Sequence, residues 1–296
     1  MIEFTKLLLS DISKVRKYFL YSTTRICDNT VGGAFMWRDF FSMEYAEHNE
    51  TIIFKANVKY GDGITAFSMP LGKDVRGAIA QVEEYCRRAG VPLAFSTITE
   101  ADIAVLKGLY PEFRLLSDPS WSDYLYKASD LTNLSGRRYS GKRNHINRFR
   151  MEYGAHTFEE LSGANIEDAI GFHSRLGHGS IDGPELYVEE HIKTLEVLEN
   201  FDTYGMFGGL LRVHGAVAAF SVGEIVNDVL FVHIEKADMR YRGAYQVVNN
   251  DFAKRFAAGS VAFINREDDA GDDGLRISKV SYHPCEVIGK YVFLAE

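Results

Sequence analysis

The 296-residue chain is 46% hydrophobic and 25% charged, which is typical of globular proteins and sufficient for one large domain or two of about 150 residues. Its formal net charge of -8 excludes a generally basic, nucleic-acid-coating surface but is compatible with a local basic patch. Because no apolar run has the length of a membrane span or a secretory signal, and Cys27, Cys86 and Cys285 lack metal-binding spacing, we expect a cytoplasmic protein with reduced thiols and no transmembrane segment.

Residues 1–130 are predicted to form a first α/β unit. In chain order, the pattern predicts a helix after Ser10, strands over 43–56 and 64–69, a helix from Val75 to Cys86, a strand over 93–97 and a helix over 99–109. Gly90 is expected to end the second helix.

Residues 131–153 are predicted to form a basic linker helix, because six Lys or Arg residues and His145 occur there and residues 131–151 contain no acidic residue. One interpretation is a solvated helix face that buries Ile146 and Phe149. The other is a phosphate-binding patch formed by Lys142, Arg143 and His145 beside the site of the second unit. The NTPase spacing Gly-x-x-x-x-Gly-Lys occurs at 136–142, but an arginine follows where Ser or Thr binds magnesium, so an NTPase is rejected.

Residues 154–296 are predicted to form the second unit. The pattern predicts a strand at 156–158, a helix over 166–176, a helix opened by Gly183 with Val188, Ile192 and Leu195 inward, and strands over 204–213, 216–226 and 229–234. A basic turn at 240–245, a helix, a strand over 261–265, an acidic loop and a helix over 275–282 follow. This order repeats that of the first unit, so we expect an α/β (α+β) fold of two similar units in tandem. Each is expected to be a mixed, mostly antiparallel sheet flanked by helices.

The turn at 240–245 is predicted to bind the phosphates of a donor substrate. A strand that ends in a glycine turn and opens a helix presents free N–H groups and the positive end of the helix dipole. Arg240 and Arg242 add guanidinium groups beside Gly243, and Ala244 and Tyr245 complete the segment. The alternative is that the two arginines are solvated.

This turn resembles the phosphate loop of GNAT-type acyltransferases, Gln/Arg-x-x-Gly-x-Gly/Ala, with Arg240 and Gly243 matching and Tyr245 in place of Gly or Ala. The segments 139–147, 233–237, 241–246, 264–268 and 274–284 resemble a bacterial family similar to the C-terminal domain of phosphatidylglycerol lysyltransferases. The resemblance implies two GNAT-like units and kinship with Fem-type aminoacyl transferases, which use aminoacyl-tRNA. It also points to Asn265 and Lys279 as residues of the donor-binding site.

Acyl transfer by direct attack requires a base for the nucleophile and an acid for the leaving group. Glu235 is the candidate base, assisted by His233, and the alternative is that Glu235 pairs with Lys236 or an arginine. Tyr282 is the candidate acid, and the alternative is a core tyrosine. The expected donor is acyl-CoA or aminoacyl-tRNA, and the acceptor is an amine or hydroxyl. The alternative function is a non-catalytic module that binds tRNA or a nucleotide in the same cleft.

No metal site is expected. The acidic loop 267–274 fails as a calcium loop, because glycine occupies the third ligand position and valine the twelfth. His173, His178 and His191 lack a metal-binding arrangement with carboxylates. We hypothesise instead that the loop, with Asp268 as a substrate contact, selects a cationic amine.

Overall fold

The computed structural model of the protein describes residues 2–60, 63–176 and 184–296, so Gly183 and His178 lie outside the described residues. The chain forms two compact units. The first contains residues 1–123 and two later segments, 268–272 and 287–296, and the second contains 124–267 and 273–286. These divisions differ from the predicted ones at 130 and 153, because the basic segment belongs to the second unit and later segments return to the first.

The strands, in chain order, are β1 (Thr5–Lys6), β2 (Glu44–His48), β3 (Thr51–Val58), β4 (Ile64–Phe67), β5 (Leu71–Gly72), β6 (Ala94–Ile98), β7 (Phe113–Ser117), β8 (Asp123–Lys127), β9 (His156–Glu160), β10 (Phe207–Val213), β11 (Ala216–Val226), β12 (Val229–Ala237), β13 (Phe263–Asn265), β14 (Glu286–Ile288) and β15 (Tyr291–Ala295). The α-helices are α1 (Ile12–Phe19), α2 (Val31–Met36), α3 (Val75–Ala89), α4 (Glu100–Lys107), α5 (Ala128–Asn133), α6 (Ser140–Tyr153), α7 (Ile166–Leu176), α8 (Glu185–Glu199), α9 (Phe201–Tyr204), α10 (Ala244–Phe256) and α11 (Asp273–Val280). Across the described ranges, no helix is both long and apolar enough to cross a membrane.

The first sheet has the strand order β1-β2-β3-β4-β6-β15-β7, with β5 beside β3. The β4–β6 pair is parallel, whereas β2, β3 and β4 form antiparallel neighbours and β15 is antiparallel to both β6 and β7. Helix α3 begins where Asp74 accepts a hydrogen bond from the N–H of Gly77 and ends at Gly90 in the left-handed conformation. Its Val82 packs into a core with Phe67, Phe95 and Phe293.

The second sheet has the order β14-β8-β13-β12-β11-β10-β9. It repeats the first: an antiparallel run, β10, β11 and β12, is followed by the parallel neighbour β13. Helix α10 packs Val247, Val248 and Phe252 against Leu230 and Val232 of this sheet. The predicted fold of two mixed, mostly antiparallel units is therefore confirmed.

In each sheet, the strand beside the parallel pair comes from a distant part of the chain. Strand β15, near residue 296, lies between β6 and β7 in the first sheet, whereas β8, from the end of the first half, lies between β13 and β14 in the second. Neither sheet is thus formed by one continuous stretch of chain.

Helix α8 differs from its predicted packing. Its buried residues are Lys193, Thr194, Val197 and Leu198, whereas Ile192, predicted to face inward, is 50% exposed. Burial of the Lys193 ammonium is compensated because it donates a hydrogen bond to Glu196 one turn later.

Candidate functional site

A β-bulge in β12 sets the position of Glu235. The register between β11 and β12 shifts at Gly223, and His233 is the extra residue on β12. A Cβ on Gly223 would lie 2.2 Å from the carbonyl oxygen of Phe231, so the close approach of the strands requires glycine. Beyond the bulge, Glu235 shares the face of Val232, which is the face covered by α10.

Both carboxylate oxygens of Glu235 are paired. Arg266, just after β13, donates from Nη2 to Oε1 at 2.8 Å, and Asn249 of α10 donates from Nδ2 to Oε2 at 2.9 Å. Burial lowers the pKa of Arg266, but Glu235 together with the Tyr126 and Tyr282 phenols outweighs burial and leaves this pKa raised. The structure thus adopts the alternative in which Glu235 pairs with an arginine, while Lys236 pairs with Glu190 at 2.5 Å.

Two buried atoms beside this carboxylate have no hydrogen-bond partner in the described part of the chain. They are Nη1 of Arg266, a donor, and Oδ1 of Asn249, an acceptor. The orientation of the amide is fixed, because its NH₂ group must face the Glu235 carboxylate. Since buried polar groups are normally hydrogen-bonded, these two atoms are available to a further hydrogen-bonding partner.

Lys142 and Tyr282 complete the surroundings of Arg266. The Nζ of Lys142 donates to Oγ of Ser281 at 2.6 Å and lies 3.8 Å from the centroid of the Tyr282 ring. Burial lowers the pKa of Lys142 to about 8, and the positive charge of Arg266 contributes in the same direction. Burial also raises the pKa of the Tyr282 phenol, which therefore stays protonated at neutral pH. We call Glu235, Arg266, Asn249, Lys142 and Tyr282 the Glu235 cluster.

His233 contacts two other carboxylates. Its Nδ1 lies 2.7 Å from Oε1 of Glu267, and its Nε2 lies 3.0 Å from Oε1 of Glu224. Burial lowers the pKa of His233, but the hydrogen bonds that the imidazole donates to the two carboxylates reverse the effect and raise it to about 9. The imidazole is thus engaged by Glu224 and Glu267, not by Glu235, whose oxygens are taken by Arg266 and Asn249.

The basic turn precedes α10. Arg240 is 88% exposed at its side chain and pairs with Asp238 at 2.6 Å, whereas Arg242 is exposed and its backbone N–H donates to Oη of Tyr153 at 3.0 Å. The first turn of α10 leaves the N–H groups of Tyr245 and Gln246 without intrahelical acceptors. An anion at this end of the helix would meet these N–H groups together with the guanidinium of Arg242.

Gly243 has a packing role that the sequence did not indicate. Its φ is +92°, and a Cβ there would lie 2.9 Å from the carbonyl oxygen of His145 and 3.3 Å from Cβ of Phe149. The missing side chain therefore makes room for α6, which carries the basic residues.

Replacing Gly243 with alanine is expected to lower the free energy of unfolding by about 3 kcal/mol, through left-handed backbone strain and the clash with His145. Gly90→Ala is the matched control, because Gly90 is also left-handed (φ +67°) but a Cβ there would have no other atom within 4 Å. The Gly90→Ala variant is expected to lower the free energy of unfolding by only about 1 kcal/mol. Equal losses in urea unfolding would show that α6 moves aside without penalty.

Two other predicted donor-site residues support the backbone around Arg266. Asn265 accepts the N–H of Glu267 on its Oδ1 at 2.6 Å, and Lys279 donates to the carbonyl oxygen of Arg266 at 2.5 Å. Both side chains are buried. In the turn itself, Ala244 is buried and Tyr245 is half-buried, with its pKa raised by burial.

The predicted phosphate patch is only partly assembled. Lys142 joins the Glu235 cluster, whereas Arg143 donates to the carbonyl oxygens of Leu134 and Gly136 and so caps the end of α5. His145 is exposed on α6. Asp268 belongs to the first unit, where its carboxylate pairs with Lys290.

Sequence reasoning missed Arg266, Asn249 and Glu224 as site residues. The one signal for Asn249 is its position with Asn250 in the otherwise apolar buried face of α10. Arg266 lies in a segment that the resemblance included, but nothing in its spacing indicates Glu235 as its partner, because the two residues are distant in sequence.

One cluster in the first unit has the composition of a cation site. Among the described residues, Cys27, Asp28 and Asp123 bring three ligand atoms within 4.8 Å of one another. The ammonium of Lys290 already lies 3.0 Å from Asp28 and 2.9 Å from Asp123. The protein therefore supplies its own cation to these carboxylates.

The chain is similar to known proteins and to one known family. Residues 21–294 match the family described as phosphatidylglycerol lysyltransferase, C-terminal. A crystal structure of a protein of unknown function from Bacteroides thetaiotaomicron is 30% identical, with a TM-score of 0.92 and full coverage of both chains. The structure of FemX has a TM-score of 0.60 at 9% identity, with 98% of this chain and 96% of FemX covered, which supports a shared fold.

Among curated proteins, MYCGA3080 of Mycoplasmoides gallisepticum is 24% identical over 173 residues, or 58% of this chain. The match spans 56% of that relative, so the two are alike over only part of its length. The predicted resemblance is confirmed by the family match, and the predicted fold kinship with Fem-type proteins is supported by the FemX structure. With nearly its whole length matched, the chain belongs to the phosphatidylglycerol lysyltransferase C-terminal family.

Proposed function

We propose that the second unit transfers an acyl or aminoacyl group from acyl-CoA or aminoacyl-tRNA to an amine or hydroxyl acceptor at the Glu235 cluster. The observation that carries this proposal is the open edge of β12 beside Glu235. Strand β13 pairs with β12 only as far as Phe231 and Asn265, whereas β12 continues to Ala237. In the described residues, no strand pairs with this edge beyond Phe231, so the backbone groups near Glu235 are available to an extended donor. At the end of β12, the backbone of Ala237 is already hydrogen-bonded to the phenol of Tyr245.

The turn before α10 would hold the donor's phosphates. Arg242 supplies a guanidinium group, and the first turn of α10 supplies N–H groups and the positive end of its dipole. Arg240 is less available, because its guanidinium is engaged by Asp238. The family name and the Fem-type fold support an activated acyl donor in general, and acyl-CoA and aminoacyl-tRNA both carry phosphates for this position.

The Glu235 cluster would perform the transfer in one direct step. The acceptor attacks the donor carbonyl, a bond forms from its nitrogen or oxygen to the acyl carbon, and the bond to the leaving sulfur or oxygen breaks. Glu235 takes the acceptor's proton on a lone pair that Arg266 and Asn249 leave unused. The unpartnered Nη1 of Arg266 donates to the carbonyl oxygen as it becomes negative, and Tyr282 donates to the leaving atom.

Glu235→Gln is expected to lower the transfer rate about 10²- to 10⁴-fold while donor binding is retained, because the amide keeps the shape but loses the base. Arg242→Glu is the complementary variant, and it is expected to abolish donor binding without affecting folding, since this exposed side chain carries the positive charge of the turn. Binding is measured by calorimetry with acetyl-CoA and with aminoacyl-tRNA, and transfer by release of free CoA or deacylated tRNA. Donor affinity retained in Arg242→Glu would contradict this site.

The second candidate is a non-catalytic module that binds tRNA or a nucleotide. The exposed basic residues of α6, Arg148 and Arg150 among them, favour it. Binding through several phosphates should weaken steeply with added salt. Salt-sensitive tRNA binding with no transfer in the wild type, and no effect of Glu235→Gln, would favour this module over the enzyme.

A further inference from the structure

Lys142 is unusual because its ammonium lies in a half-buried position without a carboxylate partner. Its Nζ donates to Oγ of Ser281 and lies over the Tyr282 ring. It forms no ion pair with any carboxylate among the residues that the structure describes, and the nearby charges are the positive Arg266 and the negative Glu235, which Arg266 already neutralises. The surroundings therefore favour a neutral amine.

Lys55 provides an internal comparison in the first unit. Its Nζ also lies over aromatic rings, 5.0 Å from the centroid of Phe4 and 5.4 Å from that of Tyr85, and it donates to the Tyr85 hydroxyl. Unlike Lys142, it forms an ion pair with Glu44. Burial lowers the pKa of Lys55, but the hydrogen bonds that its ammonium donates to Glu44 and Tyr85 outweigh burial and leave this pKa raised. The two lysines thus share an aromatic environment and differ in the carboxylate.

We propose that Lys142 is a nucleophilic lysine whose amine takes up small acyl groups, so that the chain carries an acylation site of its own inside the Glu235 cluster. Neutral Nζ has a lone pair free for attack, whereas a carboxylate-paired ammonium does not. Burial beside Tyr282 and the hydrogen bond to Ser281 hold the amine in one orientation.

The reaction is an ordinary acyl transfer. The Nζ lone pair attacks the donor carbonyl, a C–N bond forms, and the C–S bond of a thioester or the C–O bond of an ester breaks. One proton moves from Nζ to the leaving group, giving an amide on Lys142 and the free thiol or alcohol. Attack on a donor bound at the Glu235 cluster rests on the proposed function, whereas attack on a free acylating reagent does not.

The first experiment therefore uses trace acetic anhydride and follows acetylation of each lysine by peptide mass spectrometry across a pH series. We expect Lys142 to react about tenfold faster than Lys55 at neutral pH, because its larger neutral fraction outweighs its lower intrinsic basicity. Its reactivity should reach half of its maximum at pH about 8. Equal labelling of Lys142 and Lys55 at neutral pH would overturn the proposal.

Two variants test whether the reactivity belongs to the amine of Lys142 or to the phenol of Tyr282. Tyr282→Phe keeps the ring and removes the hydroxyl, so Lys142 should keep its fast labelling. Lys142→Arg should remove the fast site, with unchanged labelling of Lys55 as evidence that the fold is intact. If labelling of Lys142 fell to that of Lys55 in Tyr282→Phe, the reactivity would belong to the phenol and the proposal would fail.

A second arm replaces acetic anhydride with acetyl-CoA. If acetyl-CoA acetylates Lys142 in the wild type but not in Arg242→Glu, the result would support both the nucleophilic role of Lys142 and the proposed donor site. Fast labelling by the anhydride without labelling by acetyl-CoA supports the nucleophilic lysine and counts against acetyl-CoA as donor. The two proposals therefore fail in distinguishable ways.

Discussion

Lys290→Met is expected to destabilise the first unit by about 3–5 kcal/mol, because it leaves the buried carboxylate of Asp123 and the half-buried ones of Asp28 and Asp268 without their cation. The Nζ of Lys290 lies 2.9 Å from Asp123, 3.0 Å from Asp28 and 3.4 Å from Asp268. Burial alone would lower the pKa of Lys290, but these carboxylates raise it well above its ordinary value. Methionine keeps most of the side-chain volume, so the loss of stability would result from the missing positive charge and not from a cavity.

The measurement is the free energy of unfolding in urea at neutral pH. Lys6→Met is the control, because Lys6 also pairs with an aspartate, Asp39 at 3.3 Å, but the two side chains are 66% and 39% exposed. Exposed pairs contribute at most about 1 kcal/mol. If Lys290→Met lowered the free energy of unfolding no more than Lys6→Met does, water and not Lys290 would be compensating these carboxylates.

His233→Gln is expected to lower the free energy of unfolding by about 3 kcal/mol at pH 6, because glutamine keeps a hydrogen bond but not the positive charge between Glu224 and Glu267. Protonated His233 is stabilised in the folded state, where its pKa is about 9 against an ordinary value of 6.5. This stabilisation is fully present below pH 6.5 and is lost as the pH rises through about 9.

The difference in the free energy of unfolding between wild type and His233→Gln should therefore be largest at pH 6 and smaller at pH 9.5. Comparing the two proteins at each pH cancels the titration of groups that do not contact residue 233. His48→Gln is the control, since His48 is only partly buried and lies 3.7 Å from Asp74. A difference for His233→Gln that does not change between pH 6 and 9.5 would contradict a protonated imidazole in the folded protein.

Local patterns were sufficient to predict many elements. Helix α7 has its predicted limits, and α3 follows from the apolar spacing that ends at Cys86 and from Gly90. The strands predicted over 216–226 and 229–234 form the hairpin of β11 and β12, and Asn227 in the turn has a φ of +54°, which asparagine tolerates well. These features depend on a few neighbouring residues, and such patterns can be read from one sequence.

The geometry of the site depends on non-local pairing. Glu235 and Tyr282 were expected in one site and do lie in one cluster, but their link is Arg266, which the sequence did not identify. A strict alternation along β12 could not place Glu235, because the bulge at His233 reverses the faces beyond it. The division of the chain was unpredictable for the same reason, since β8 and β15 find partners far along the chain.

The positions of β8 and β15 also determine the order in which the protein can fold during its synthesis. The ribosome makes the chain from the N-terminus, at about 5–20 residues per second, and domains generally fold as they are completed. The first sheet must wait for β15, so β6 and β7 stay without the strand that joins them until residues 291–295 have been made. The unit that begins first therefore finishes last, and during this interval its open strand edges need protection from aggregation.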